Sequence, residues 1–338
     1  MSARFREEIP PSIIIGFGNV GRELALIDEI WSLTNVIGIL TSKGGIKVDG
    51  EDTIFHIRNT AKSSKRLDEL PGFIEGLSIE DFLDQLLGKG VAFITLPPSY
   101  STGEPNISIY LKLLRRGISI ITADKTALAL SYTEIVETMK KFGSFLGFRA
   151  TVAAGTPFVD LARGLRGRDL KKVKAVLNAT TNFIISNIEE GMSWNGALGL
   201  ARTEKLLEPD PSIDIEGFDA AAKLTIISNI LGKRLRMNEV MRIPLSKVNE
   251  NEIKGALKSG KRYKYIAELD FESGKATVSP QLLSLENPLS NIRGNYNGIL
   301  IELEEKEKIY LEGPAGPAWR TARVMLTDLY EYLHFFIP

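Results

Sequence analysis

Short apolar runs alternate with helical patterns through the first 150 residues. Ile13 to Ile15 is wholly apolar, as expected of a strand buried on both faces. Gly16, Gly18 and Gly21 follow it, and Leu24, Ile27 and Ile30 then recur at helical spacing. Val36 to Leu40 reads as the next parallel strand. Further on, the pattern predicts helices over Ile79 to Leu87, Ile107 to Arg115 and Tyr132 to Phe142. Between them it predicts strands over Val91 to Leu96, Ile118 to Thr122 and Gly147 to Val152. Strands separated by helices imply an α/β fold, here an N-terminal Rossmann-type doubly wound parallel sheet.

Beyond about residue 150 the texture changes. Lys172 to Leu177 alternates as a half-buried strand does. Asn182 to Glu190, Ser193 to Leu207 and Phe218 to Leu231 read as helices. Arg262 to Leu269, Lys275 to Val278, Gly298 to Glu304 and Ile309 to Glu312 read as strands, with the charged run Glu302 to Lys308 as a solvated hairpin. This is the pattern of an α+β domain with a mixed or antiparallel sheet. The expected division is 1–150 for the first domain and 151–312 for the second, with the segment 313–338 and its helix, Thr321 to Leu333, returning to complete the first.

Composition narrows the chemistry. The 338 residues carry 42 Lys and Arg against 42 Asp and Glu, a formal net charge of zero. Nucleic-acid binding needs a surplus of cations, so it is not expected. No apolar run approaches the roughly 18 residues of a membrane span. The first nine residues lack the apolar core of a signal peptide, and a cytoplasmic location is the expectation. There is no cysteine, which excludes disulfides, thiolate zinc sites and a thiol nucleophile. The two histidines, His56 and His334, lie far apart in no recognisable motif. Acid–base work therefore falls to Lys, Asp, Glu or Tyr.

The glycines have a specific use. In Gly16-Phe17-Gly18-Asn19-Val20-Gly21 one glycine permits the tight turn, one lets a pyrophosphate approach the backbone, and one lets helix pack on strand. The phosphates then sit at a helix N-terminus. An NAD site usually has an acid about 20 residues later to hold the ribose 2′-hydroxyl. Here Ser42 and Lys43 stand at the end of the second strand instead, and suit a 2′-phosphate. NADP is expected over NAD. Parallel sheets bind ligands beyond the carboxyl ends of their strands, so Thr95 to Ser99, with Leu96 and Pro97, and Ala123 to Lys125 are candidates for the nicotinamide side.

Residues 208–224 read Glu-Pro-Asp-Pro-Ser-Ile-Asp-Ile-Glu-Gly-Phe-Asp-Ala-Ala-Ala-Lys-Leu. Asp219 and Lys223 are four apart and share a helix face. Upstream stand Ala150-Thr151-Val152-Ala153-Ala154-Gly155-Thr156-Pro157, Asn178-Ala179-Thr180-Thr181-Asn182, Thr102-Gly103-Glu104-Pro105 and Ala123-Asp124-Lys125, and a Gly/Pro-rich loop precedes Thr321-Ala322. In this order the chain resembles homoserine dehydrogenase, in its short form without an appended kinase or a C-terminal regulatory domain. The resemblance runs from about Ile13 to Leu329.

It implies the NAD(P)-dependent interconversion of L-homoserine and L-aspartate 4-semialdehyde, in threonine and methionine biosynthesis. It implies that the first domain binds the dinucleotide and that the second binds substrate and dimerises. Lys223 would handle the proton on the substrate's terminal oxygen. Asp219 would bind substrate and orient that lysine, and Lys125 would sit between cofactor and substrate. Glu208 and Asp214 would hold the amino-acid end, and Thr180 and Asn178 would contact substrate. Lysine suits the chemistry, because alcohol oxidation needs a proton acceptor on oxygen, and a second cation nearby favours the neutral amine.

Several positions depart from the family pattern. The loop usually written G-x-G-A-G is Gly313-Pro314-Ala315-Gly316-Pro317, with Gly316 retained toward the cofactor. T-P-T becomes Leu96-Pro97-Pro98, a tyrosine becomes Leu206, and the A-N-K asparagine is Asp124. Ala179 replaces a glycine. Arg149 replaces a glutamate at the start of a loop whose carbonyls hold a monovalent cation in the family. A sodium ion on the backbone oxygens of Arg149, Val152, Ala154 and Thr156, or a guanidinium in its place, are both open. So are two other activities for the scaffold: a related oxidoreductase on another small amino or hydroxy acid, and a homologue that binds NADP without turnover.

Overall fold

A computed structural model describes residues 9–204, 206–207, 210–304 and 306–335. The chain forms two compact units, Met1–Ala154 with Gly316–Pro338, and Gly155–Ala315.

The first unit is built on strands β1 (Pro11–Ile15), β2 (Asn35–Thr41), β3 (Gly44–Lys47), β4 (Ile74–Glu75), β5 (Val91–Ile94), β6 (Ser119–Thr122) and β7 (Leu146–Gly147). Their order is β4-β3-β2-β1-β5-β6-β7. β1, β2, β5, β6 and β7 run parallel, as the apolar runs imply, while β3 and β4 add an antiparallel edge. The chain leaves β1 toward β2 and later resumes on the other side at β5. The strand order therefore reverses between β1 and β5, where sheets of this class open a ligand crevice.

The C-terminal helix Ala318–Phe335 belongs to this unit. Ala322, Met325, Leu326 and Leu329 join Ile14, Leu24, Ile30 and Val91 in one buried cluster. A polar knot fixes the same helix. Asp328 is fully buried and accepts from the backbone N–H of Arg149 at 3.0 Å and from its guanidinium at 2.6 Å. Glu331 takes the same guanidinium.

The second unit is built on β8 (Leu170–Val176), β9 (Met241–Arg242), β10 (Lys261–Asp270), β11 (Ala276–Ser284), β12 (Tyr296–Leu303) and β13 (Lys308–Pro314). They lie in the order β13-β12-β8-β10-β11-β9. All pairings are antiparallel except β9 with β11, so the sheet is mixed. The charged run at residues 302–308 joins β12 to β13 as an antiparallel hairpin. The helix Phe218–Leu231 has every residue buried except Phe218 and Lys223. That is how a helix with apolar residues on all sides packs.

Some expectations differ from the structure. Gly147 to Val152 is not a strand. Only Leu146–Gly147 pairs, and Arg149–Thr151 forms a 3₁₀ turn because Asp328 captures Arg149. Ile79 to Leu87 is a 3₁₀ turn, Ile79–Phe82, running into a single α-turn, Leu83–Leu86. The helix expected from Tyr132 begins at Thr126, with a kink at Ser131. The helix expected over Ser193 to Leu207 ends at Thr203. The helix Glu51–Lys62 escapes the periodicity because only Ile57, Thr60 and Ala61 are buried. No described helix is long and apolar enough to cross a membrane.

Asp328→Ala removes the fully buried partner of Arg149 and leaves the guanidinium to Glu331. It should lower stability by about 1–3 kcal/mol, the scale of a buried hydrogen-bond partner lost. Arg323→Ala breaks the exposed pair between the same helix and Glu29 and should leave the unfolding midpoint nearly unchanged. Thermal unfolding of both variants at neutral pH compares them, and equal midpoints would count against the knot.

Candidate active site

In the first unit the glycine turn is made at the end of β1. Gly16 has φ +103°, and a Cβ there would lie 2.6 Å from the carbonyl oxygen of Thr95. A Cβ on Gly21 would lie 2.2 Å from the carbonyl oxygen of Gly16, while one on Gly18 would meet nothing. The first glycine thus makes the turn, the third lets the helix Asn19–Leu26 close on the strand, and the second leaves the backbone open to a ligand. Gly18 and Asn19 are exposed, Val20 is half-buried, and Phe17 is buried beneath them. The helix has no side-chain cap and no acid in its first turn. Such an N-terminus suits an anion. Thr95 braces the turn, its hydroxyl donating to the Gly16 carbonyl at 2.9 Å.

Ser42 and Lys43 occupy the exposed turn between β2 and β3. Lys43 Nζ lies 3.1 Å from Asp68, which also binds Arg66. These two cations, Arg66 first, hold the Asp68 carboxyl down to about 2. Arg66 is a second cation at this turn. It was not legible in the sequence, because it stands more than twenty residues beyond Lys43.

Leu96 and Pro97 follow β5, half-buried and exposed respectively. Ala123 follows β6, and Lys125 leads into the helix Thr126–Phe142. Asp124 caps that helix. One of its oxygens accepts from Thr126 N at 2.9 Å and from the Thr126 hydroxyl at 2.6 Å, and the other accepts from Ala127 N at 3.3 Å. All three partners are donors, so a carboxylate serves better here than an asparagine, whose amide would oppose one of them. Asn106 ties the Pro97 carbonyl to Thr126 by bonds of 3.0 and 3.4 Å. The strand-end loops at Pro97 and Asp124 are thus tied together through Asn106 and Thr126.

Gly316 stands just before the C-terminal helix, and a Cβ on it would press to 2.8 Å from Ala154 Cβ. The neighbouring departure, Pro317, precedes the first residue of the helix, and its carbonyl accepts the first helical bond, from Thr321 N at 3.0 Å. The carbonyls suggested for a cation divide between the units, Arg149, Val152 and Ala154 in the first and Thr156 in the second. The Thr156 carbonyl accepts from Phe158 N at 2.8 Å, and the Arg149 guanidinium binds Asp328 and Glu331. Among the described residues no cluster of acidic or histidine side chains forms a metal site.

In the second unit the sequence-predicted polar residues converge. Gly217 sets this up. It has φ +80°, and a Cβ would lie 2.5 Å from the Tyr265 hydroxyl, so the helix Phe218–Leu231 starts directly against β10. Asp219 then falls in its first turn and Lys223 one turn later. Asp219 Oδ2 accepts from Lys223 Nζ at 2.7 Å and from Asn178 Nδ2 at 2.9 Å. Asn178 Nδ2 also donates to Asp214 at 2.7 Å, and its oxygen caps Thr181 N at 2.8 Å. Lys223 Nζ donates in addition to the Leu177 carbonyl at 2.8 Å. The Asp219 and Lys223 side chains are only 7% and 13% exposed. This is not a solvated surface pair: Asp219 is buried and Lys223 largely so, with two carboxylates linked by a single amide. Thr180 directs its hydroxyl to the Leu206 carbonyl at 2.7 Å, binding the helix Ala179–Glu189 to the loop that replaces the family's tyrosine. Glu208 lies outside the described residues.

The family model for homoserine dehydrogenase matches residues 157–330. The homoserine dehydrogenase of Sulfurisphaera tokodaii is 32% identical over 323 residues, covering 94% of this chain and 96% of that one. That of Methanocaldococcus jannaschii is 30% identical over 329 residues, again covering 94% and 96%. Among solved structures, a hyperthermophilic archaeal homoserine dehydrogenase in complex with NADPH matches with a TM-score of 0.80 at 27% identity, covering 97% of this chain and 98% of that one.

Asn178→Leu would leave two buried carboxylates without their shared donor. It should cost on the order of 1–3 kcal/mol, the scale of one buried hydrogen-bond donor lost. The check is the unfolding midpoint against that of Thr203→Ala, which removes an exposed hydroxyl on the neighbouring helix. Equal midpoints would contradict the linkage.

Proposed function

We propose, for a chain that belongs to the homoserine dehydrogenase family and is thus a pyridine-nucleotide-dependent oxidoreductase, that it interconverts L-homoserine and L-aspartate 4-semialdehyde with NADP as its preferred cofactor. The product would feed threonine and methionine biosynthesis. The observation that carries this reading is the buried Lys223–Asp219–Asn178–Asp214 cluster. It combines a proton-carrying amine with carboxylates suited to an amino acid's ammonium group.

A bound nicotinamide supplies a hydride acceptor or donor at the substrate carbon. Gly16, Phe17, Gly18, Asn19, Val20 and Gly21 would hold its pyrophosphate, as the open backbone at Gly18 supports. In the oxidation direction the deprotonated Lys223 amine takes the hydroxyl proton from the substrate's terminal oxygen. Asp219, at 2.7 Å, stabilises the ammonium so formed. In reduction the same ammonium returns the proton to the carbonyl oxygen. Asp214 and Glu208 bind the substrate ammonium, and Lys125 stands at the cofactor side. The preference for NADP rests on Lys43 and Arg66, whose shared partner Asp68 is a half-buried carboxylate that a 2′-phosphate would displace.

We also propose a homodimer through the six-stranded sheet. Its surface carries a groove of about 390 Å³ lined by Lys172, Glu268, Asp270 and Gln281, with exposed Met241 and Ile243 at the side. A monomer mass in sedimentation equilibrium would count against this.

Purified protein given L-homoserine should reduce NADP faster than NAD, read as reduced-nicotinamide absorbance. Lys223→Ala should lose turnover by about 10²–10⁴-fold, the scale of removing a general acid–base, while NADPH affinity is kept. Lys43→Ala with Arg66→Ala should weaken NADP and spare NAD. Retained turnover in Lys223→Ala would overturn the catalytic role. NADP binding without turnover on homoserine would favour another substrate or a binding-only protein.

A further inference from the structure

Lys264, on β10, is 1% exposed. Its Nζ donates to Asn182 Oδ1 at 2.8 Å and to the Ile292 carbonyl, and no carboxylate lies within ion-pair distance among the described residues. The charged groups that act on it are Arg262 on its own strand, Glu189 on the helix Ala179–Glu189 and Arg293 on the loop before β12. Glu189 is already committed, 2.6 Å from both Arg262 and Arg293, and Glu190 takes the other arm of Arg293. Burial, and then these arginines, bring the amine down to about 7. A neutral amine has two N–H groups for its two acceptors; the ammonium has a third.

Asn182 connects this lysine to the substrate residues. Its amide donates to the Gly294 carbonyl at 2.9 Å, and its own carbonyl accepts from Ser186 at 2.8 Å. It lies one helical turn after Asn178, on the helix that carries Thr180, and its N–H bonds the Asn178 carbonyl at 3.2 Å. Burying a lysine without a carboxylate partner costs stability. We propose that Lys264 is a positioning residue for the substrate site: through Asn182 it locks the first turn of the helix that presents Asn178 and Thr180 to the amino-acid substrate. This rests on the substrate reading given above. Protonation below neutrality adds a charge and a donor that the surroundings do not accept, so the lock loosens on the acid side.

The test compares wild type, Lys264→Met, Asn182→Leu and the double variant. Lys264→Met should raise the KM for homoserine about tenfold, the scale of losing one buried hydrogen-bond partner, with kcat and NADPH affinity unchanged. The double variant should be no worse than the poorer single one, because both remove the same bond. In wild type the KM should climb between pH 8 and pH 6, and that inflection should be absent in Lys264→Met. Amide hydrogen exchange over residues 178–184 should speed up in each variant, a readout independent of turnover. Wild type that turns over homoserine, with KM and exchange unchanged in Lys264→Met, would overturn the inference alone. Wild type inactive on homoserine would overturn the substrate reading, and hydrogen exchange would still test the lock. If Lys264→Met is too unstable to assay, Asn182→Leu decides: it should show the same KM and exchange changes, and its failure to do so overturns the inference.

Discussion

The second unit is organised around one oxygen atom. Asp219 Oδ2 receives both the Lys223 ammonium and the Asn178 amide, with the Asp219 and Asn178 side chains buried. Two carboxylates, Asp214 and Asp219, are held near each other, and such a grouping is stable only with a cation and a donor between them. Lys223 supplies the first and Asn178 the second. The left-handed Gly217 that starts the helix, the cap that Asn178 makes on Thr181 and the Thr180 bond to Leu206 all serve to keep these three side chains in place. On the proposed reading, in which Lys223 moves a proton, this rigidity keeps its amine where the reacting oxygen is expected.

The first unit relies on backbone more than on charge. Its glycine turn is fixed by close approaches between β1, Thr95 and the following helix, and its strand-end loops by the Asp124–Thr126–Asn106 network. The departure at Asp124 is explained by local capping. Arg149 is explained by the C-terminal helix, whose Asp328 and Glu331 give its half-buried guanidinium two partners.

Features encoded by local spacing were legible in the chain. The apolar strands flanking the glycines, the helix Phe218–Leu231 and the shared face of Asp219 and Lys223 all follow from residues a few positions apart. What could not be read depends on distant partners. Arg149 meets Asp328 across 179 positions, and Lys264 meets Asn182 across 82. No period marks either pair. The burial of Asp219 and Lys223 was likewise invisible, since an i,i+4 ion pair has the same spacing on a solvated face. The motif containing Asn182 was seen, but its role depends on a lysine that sequence alone places in an ordinary strand.

The most direct test of the central claim is a crystal structure of the protein with NADPH and L-homoserine bound. The expected result is the homoserine hydroxyl oxygen within hydrogen-bond distance of Lys223 Nζ, with the Asp219–Asn178 linkage intact and the substrate ammonium on Asp214 and Glu208. Homoserine bound away from Lys223, or a Lys223 that leaves Asp219 while substrate is in place, would contradict it.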